Sequence, residues 1–130
     1  MPQNEKIHLP DAELDLMLAL WKRNAPAKII DLYNDLQAVR PCSKPAIHTL
    51  LERLRAKGFV AIESVEAATP YKRITPILTE EEYRRFASEK LVDKLYDGSW
   101  SALIASLVES QPLSDNELDE LTRILDKKRS

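Results

Sequence analysis

Hydrophobic residues recur at helical spacing through the first 58 residues, in three segments separated by Ala25-Pro26 and Arg40-Pro41. Apolar side chains three and four positions apart predict amphipathic helices over residues 11–23 and 27–39 and within 41–58. We expect Asp11 and Ser43 to cap the first and third helices. The residues predicted to face the core are Leu14, Met17, Leu18 and Trp21, then Ile29, Tyr33 and Leu36 with Ile30 and Leu32 beside them, and finally Ile47, Leu50, Leu51 and Leu54.

Residues 59–77 change to a β pattern. β-formers dominate Phe59–Val65 and Tyr71–Ile77, and residues 66–70 between them have the composition of a turn, which predicts a hairpin. Three helices followed by a hairpin is the order of a winged helix, in which the third helix enters a DNA groove and the hairpin lies beside the DNA backbone. For the third helix taken alone, the alternative is an ordinary packed helix with a solvated face.

Residues 79–130 return to a helical pattern with three further amphipathic segments. Capping boxes begin the first at Thr79 and the last at Ser114, and the middle segment starts at Trp100. Three helices in about 50 residues are too few to bury all of their apolar faces, so we expect a second copy of the chain to cover them. The alternative is that these helices fold back onto the first part of the chain.

These elements define the predicted fold class, which is mostly α with a small β-hairpin wing. We predict a winged helix-turn-helix DNA-binding domain at residues 1–78. Residues 79–130 are predicted to form a helical dimerisation domain.

Composition narrows the functional classes. The 130 residues carry a net charge of −2, with 11 basic and 9 acidic residues up to Leu78 and 8 basic and 12 acidic residues after it. The single cysteine, Cys42, and the separated His8 and His48 provide no disulfide, no zinc site and no nucleophile with its base. We therefore expect no enzyme activity, catalytic residue, metal or cofactor. No segment approaches the roughly 18 apolar residues of a membrane span, which predicts a cytoplasmic protein without membrane insertion.

Three stretches resemble the BlaI/MecI penicillinase-repressor family. They are AELDLMLALW at Ala12–Trp21, the S-x-x-x-I-x-T-L-L-x-R-L-x-x-K-G pattern at Ser43–Gly58, and GSWSALI followed by LSDNELDELTRIL within Gly98–Leu125. The resemblance implies a dimeric winged-helix transcriptional repressor. Its N-terminal domain would bind a palindromic operator in double-stranded DNA, and its C-terminal helices would join two chains. It also implies that a sensor-linked protease relieves repression by cutting the C-terminal part.

The candidate site residues follow from these patterns. The residues predicted to bind DNA are Ser43, Lys44, His48, Thr49 and Arg53 of the third helix with Lys72 and Arg73 of the wing. Of these, Thr49 and Arg53 are expected to lie nearest to the bases. The residues predicted to form the dimer are Trp100, Leu103, Leu107, Leu118, Leu121 and Leu125. The bond that aligns with the family's cleavage site, usually Asn-Phe, is Ser106–Leu107.

Several positions depart from the family pattern. The third helix has Pro45 and Ala46 where the family usually carries a Lys-Thr pair, and His48 where it usually carries an arginine. The wing carries Glu63 and Glu66, which phosphates would repel. A winged-helix protein–protein adaptor with weak or lost DNA binding is therefore the alternative function. Related copper-responsive repressors use a C-terminal Cys-x-Cys array, which this sequence lacks, so copper sensing is disfavoured.

Overall fold

The computed structural model describes residues 8–130, which form six helices and a three-stranded antiparallel sheet. In chain order the elements are α1 (Asp11–Arg23), β1 (Ala27–Lys28), α2 (Ile29–Gln37), α3 (Lys44–Ala56), β2 (Val60–Val65), β3 (Tyr71–Pro76), α4 (Glu80–Leu95), α5 (Trp100–Ser110) and α6 (Asp115–Arg129). The mostly helical content with one small sheet confirms the predicted fold class. None of the helices in residues 8–130 is long and apolar enough to cross a membrane.

Two compact units make up the chain, the first ending at Ala87 and the second comprising Ser88–Ser130. The first unit holds α1 to α3, the sheet and the beginning of α4. Its hydrophobic core includes Phe59, Ile74 and the leucines of the three helices.

The helix α1 has the predicted bounds but buries a different face. Its buried residues are Glu13, Leu16, Met17 and Leu20. The prediction was wrong for Leu18, which is 42% exposed. The predicted stripe and the buried stripe have the same helical spacing and are offset by one residue, so periodicity alone does not choose between them. The charge of Glu13 made the buried stripe look polar.

The helix α2 is shorter than predicted at both ends. The prediction that it begins at Ala27 was wrong, because Ala27 and Lys28 pair with β3 as the short strand β1. The backbone N–H of Lys28 then donates to Asp31 Oδ2 at 3.3 Å, which stabilises the first turn of α2. Leu32 and Leu36 are fully buried, whereas Ile30 is 46% exposed. The centre of the buried face is therefore Leu32, which the sequence pattern had placed at its edge.

The ends of the helices show which capping predictions were correct. Pro10 occupies the N-cap of α1 without a side-chain cap, so the prediction that Asp11 caps α1 was wrong. Asp11 is instead the first helical residue, where a carboxylate suits the positive end of the helix dipole. Ser43 caps α3 as predicted, because its Oγ accepts from the Ala46 N–H at 3.2 Å. After α3 the chain turns through Gly58, whose φ of 83° favours glycine.

The hairpin of β2 and β3 confirms the predicted wing and gains a third strand from β1, in the order β1-β3-β2. The register places Ile62 opposite Ile74 and Ala27 on the other side of Ile74. Ile74 is fully buried, so this row of side chains faces the core. Side chains alternate along a strand, and Lys72 therefore shares the inner face with Ile74, while Arg73 lies on the outer face.

The first turns of α4 complete the core of the first unit. Tyr83 is buried, its ring packs edge-on against Phe59 with centroids 5.8 Å apart, and its hydroxyl accepts from the buried Leu9 N–H at 2.9 Å. Trp21 Nε1 donates to the Leu78 carbonyl at 2.8 Å. The start of α4 carries the predicted capping box, in which Thr79 N–H donates to Glu82 at 2.9 Å and Glu82 N–H donates back to Thr79 Oγ1 at 3.1 Å.

The second unit consists of the end of α4 with α5 and α6. Ser99 and Ser114 cap α5 and α6, each accepting from a backbone N–H with its Oγ. Val92 is buried, but neither α5 nor α6 has a buried residue. The apolar faces predicted for these helices therefore remain open within a single chain.

Candidate nucleic-acid interface

The exposed face of α3 is positioned by what lies behind it. Ile47, Leu50, Leu51 and Leu54 are buried as predicted, so the residues on the opposite side of α3 point outward. Lys57, just beyond the end of α3, pairs with the buried carboxylate of Glu13 from α1. The apolar stripe and this ion pair together fix the helix against α1 and leave one face for a partner.

Two predicted contact residues lie on the flank of α3 beside α2. Lys44 Nζ lies 5.6 Å above the ring centroid of Tyr33, a cation–π contact. His48 is exposed and lines a shallow groove with Lys44, Tyr33 and the exposed Ile30. This flank therefore combines two donors with an apolar side chain from α2.

The middle of the exposed face is a shallow depression of about 460 Å³, lined by His48, Thr49, Glu52, Arg53 and Ala56. Thr49 Oγ1 donates to the Pro45 carbonyl at 3.2 Å, so it faces a partner mainly as an acceptor. Within the described chain, the Arg53 side chain has no ion-pair or hydrogen-bond partner, and its donors are available. The fifth predicted residue, Ser43, uses its Oγ to cap the helix.

The structure separates the two wing cations that the sequence grouped together. Lys72 donates to Ser64 Oγ at 3.1 Å on the inner face of the sheet, the face that α3 packs against. Arg73 lies on the outer face, where it forms an ion pair with Glu63 at 3.5 Å. Lys72 therefore lies on the side of α3, whereas Arg73 is partly neutralised and faces away from the core.

Two charged groups near the site are not among the residues predicted to bind DNA. Lys28 of β1 lies across from Arg73 in the sheet, with its Nζ 4.5 Å from the Tyr71 ring centroid, and adds a cation to the outer face. Glu52 lies in the middle of the exposed α3 face, where Arg55 binds it with hydrogen bonds of 3.0 and 2.7 Å. Hydrogen bonding from Arg55, together with its charge and that of Lys72, lowers the pKa of Glu52. The i to i+3 spacing of Glu52 and Arg55 was the available sequence signal.

The residues predicted to form the dimer lie on α5 and α6, and all of them retain exposed surface. Trp100 is 54%, Leu107 55% and Leu125 55% exposed, and Leu118 is also exposed. Leu107 and Leu121 line an apolar groove of about 540 Å³ between α5 and α6. This combination leaves an apolar surface suited to a protein partner.

The predicted cleavage site lies inside α5. Ser106 and Leu107 are both exposed in the single chain. The carbonyl of Leu107 accepts from the Gln111 N–H at 3.2 Å and from Ser110 Oγ at 3.2 Å. A protease would need this part of the helix to open before it could bind an extended backbone.

Residues 8–130 contain little that could bind a metal ion or act as a catalytic nucleophile. No group of three His, Cys, Asp or Glu side chains there could hold a metal ion. Cys42 is half-buried, and its backbone and Sγ are engaged by the amide of Gln37. What this surface offers is a helix face and a hairpin for binding another macromolecule.

Three helices, a two-residue strand and a hairpin, with the third helix exposed on one face, define a winged helix-turn-helix protein. The chain matches the family model described as penicillinase repressor over residues 9–127. It is similar to the methicillin resistance regulatory protein MecI of Mammaliicoccus sciuri, with 29% identity over 96% of this chain and 98% of that protein. MecI of Staphylococcus aureus strain N315 shows the same identity and coverage. The penicillinase repressor of Bacillus licheniformis is 26% identical over 94% of this chain and 92% of its own.

The chain therefore belongs to the penicillinase repressor family, which confirms the resemblance seen in the sequence. This family is not one of enzymes, so the expectation of a non-enzymatic protein is also confirmed.

Proposed function

We propose that this protein is a transcriptional repressor that binds operator DNA with the exposed face of α3. The observation that carries the proposal is that face itself, which presents His48, Thr49 and Arg53 outward from a helix fixed by its buried leucines. Relatives named as regulators and repressors along nearly the whole chain support the same function. A repressor that binds chromosomal DNA would act in the cytoplasm.

The available cations suit this role in different ways. Arg53, whose side chain is unpaired in the described structure, can donate two hydrogen bonds to guanine, the commonest specific contact in the major groove. Lys72 on the wing is suited to a phosphate, which contributes affinity without sequence information. We propose that Ser43, Lys44 and His48 contact the phosphates beside the groove. Arg73 can contact DNA only if its ion pair with Glu63 breaks.

The test is binding to DNA from the region upstream of the protein's own gene, titrated with salt. Arg53→Ala should cost roughly 1–3 kcal/mol on the preferred sequence and relax the preference. Lys72→Ala should weaken all sequences about equally and reduce the slope against salt by about 1. Arg84→Ala, which removes an exposed arginine of α4 outside this face, is the matched control and should change neither. Unchanged affinity in Arg53→Ala would refute the assigned docking face.

A protein–protein adaptor is the second candidate, and one observation favours it. The exposed face of α3 holds the carboxylate of Glu52 at its centre, and Glu63 partly neutralises the wing. Phosphates repel both carboxylates. An adaptor would show no salt-dependent binding to upstream DNA, whereas a repressor loses affinity steeply as salt rises.

We propose further that α5 and α6 join two chains into a homodimer. Each large apolar side chain contributes roughly 1.5–3 kcal/mol when fully buried, and a side chain that is half exposed retains about half of that for an interface. Leu107, Trp100 and Leu125 are each more than half exposed. A two-fold axis would present two α3 helices to the DNA, and the preferred operator would then be palindromic.

Sedimentation of the full-length chain tests the dimer. Leu121→Asp would place a charge in the apolar groove between α5 and α6, and we expect a monomer with operator affinity lowered by orders of magnitude. Arg123→Asp, which lies on the side of α6 opposite Leu118 and Leu125 and outside the lining of that groove, is the control and should leave the dimer intact. A wild type that stays monomeric at tens of micromolar would refute the dimer.

A further inference from the structure

The outward pole of α3 presents acceptors and no free side-chain donor. Pro45, Thr49, Glu52 and Ala56 occupy this pole, opposite the buried leucines. Pro45 and Ala56 have no polar side-chain atoms, and the Thr49 hydroxyl donates back to the Pro45 carbonyl. The carboxylate of Glu52 is therefore the dominant polar group at the centre of the surface that would face a DNA groove.

This carboxylate is held in place. Arg55 donates from Nε at 3.0 Å and from Nη2 at 2.7 Å, and both hydrogen bonds end on Oε1 of Glu52. No other described residue hydrogen-bonds to Oε2, which leaves that oxygen to accept from a partner. The two side chains stay 60% and 52% exposed, so neither is removed from the surface by the pairing.

We infer that Glu52 is a specificity-determining residue that accepts a hydrogen bond from the N4 amino group of cytosine and rejects guanine at the same position. The inference rests on the proposed function, because it requires α3 to lie in the major groove. In that groove cytosine presents a donor at N4, whereas guanine presents only the acceptors N7 and O6. An ionised carboxylate accepts and never donates, so guanine would leave it unpaired and repelled.

The surroundings of Glu52 distinguish this role from a general attraction to DNA. Arg53 follows Glu52 directly and extends from one flank of the pole, while Lys44 and His48 lie on the other flank. These donors suit phosphates and guanine, and the carboxylate between them opposes binding to any sequence that offers no donor there. Glu52 therefore lowers affinity for non-specific DNA and restores it only on the matching base pair.

Selection of duplexes from a randomised pool, with full-length protein, tests this role. The wild type should prefer cytosine at one position in each half-site by roughly tenfold or more over guanine and thymine, which present no donor there. Glu52→Gln should shift that position toward adenine, because an amide can bond both N6 and N7 of adenine. Glu52→Ala should lose the preference there and keep it elsewhere. Glu81→Gln removes an exposed partner of Arg85 on α4, outside the α3 face, and should leave every position unchanged.

The outcomes separate the inference from the proposed function. If the wild type selects a sequence but Glu52→Gln keeps the same base at every position, the inference is overturned while the repressor function stands. The inference is also overturned if both Glu52 variants bind all sequences more tightly by the same factor and no base preference changes. That result would reflect the lost negative charge alone. A wild type that selects no sequence overturns both. Because Glu52 is exposed, each variant should fold, and far-UV circular dichroism is the control that checks this.

Discussion

Among the described residues, Glu13 is the one buried charged side chain, and Lys57 is its partner. The Glu13 side chain is 4% exposed and that of Lys57 is 26% exposed, so the two ends of the ion pair differ in their access to water. We predict that removing either partner destabilises the first unit and that Lys57→Met does so much more than Glu13→Gln.

The loss in free energy of unfolding depends on which group each variant leaves without its partner. Lys57→Met leaves the buried carboxylate of Glu13 without its cation, and breaking a buried pair in this way costs about 3–5 kcal/mol. Glu13→Gln leaves an ammonium that can reach water and an amide oxygen that can still accept from it, so the loss should stay near 1–2 kcal/mol. A domain of this size has a free energy of unfolding of roughly 5–15 kcal/mol, which makes the first loss severe.

Urea unfolding followed by far-UV circular dichroism measures both losses. The double variant, Glu13→Gln with Lys57→Met, should be more stable than Lys57→Met alone, because it no longer buries an unpaired charge. Arg84→Met is the control, since it breaks an exposed pair with Glu80 and should cost less than about 1 kcal/mol. Equal losses in the two single variants, or a double variant as unstable as Lys57→Met, would refute the assignment of Glu13 as a charge held by Lys57.

Three further predictions concern the stability of the first unit, the acid dependence of unfolding and the sites of limited proteolysis. Tyr83→Phe leaves a buried backbone N–H without its acceptor and should cost roughly 1–3 kcal/mol in urea unfolding. Hydrogen bonds from Thr79 lower the pKa of Glu82 from its ordinary value. The stability that Glu82 contributes is therefore present above the ordinary carboxylate pKa and is lost as pH falls through the lowered pKa. Glu82→Gln should flatten this acid dependence of thermal unfolding. Limited proteolysis should first cut the exposed turn at 66–70, and a first cut at Ser106–Leu107 would show that α5 opens more readily than the wing.

The buried face of a helix was predictable where only one apolar stripe of helical spacing fits the sequence. The third helix was correct in its cap, its stripe and its end, because Ser43 and Gly58 bound a single run of leucines. The first helix contains so many apolar residues that two stripes fit it, and the buried one includes Glu13. A buried charge is recognised only when its partner is known, and Lys57 lies 44 residues away in the sequence.

The candidate site was predictable to the level of the helix face. Which residues of α3 point outward follows from its buried stripe, but the pairing of Glu52 with Arg55 and of Arg73 with Glu63 depends on rotamers and strand register. The strand β1 was missed because two residues are too short to carry a period. The Arg73–Glu63 pair and the strand β1 depend on contacts between different segments of the chain, which the local sequence pattern does not reveal.

The short strand β1 determines how the wing could be exchanged in protein engineering. A two-stranded hairpin is marginal by itself, and here Ala27 and Lys28 supply a third strand from the connection between α1 and α2. The wing is therefore not a self-contained module between Gly58 and Leu78. A hairpin transplanted from another protein would keep its shape in this chain only if its third strand matched residues 27 and 28, and those residues would have to be exchanged with it.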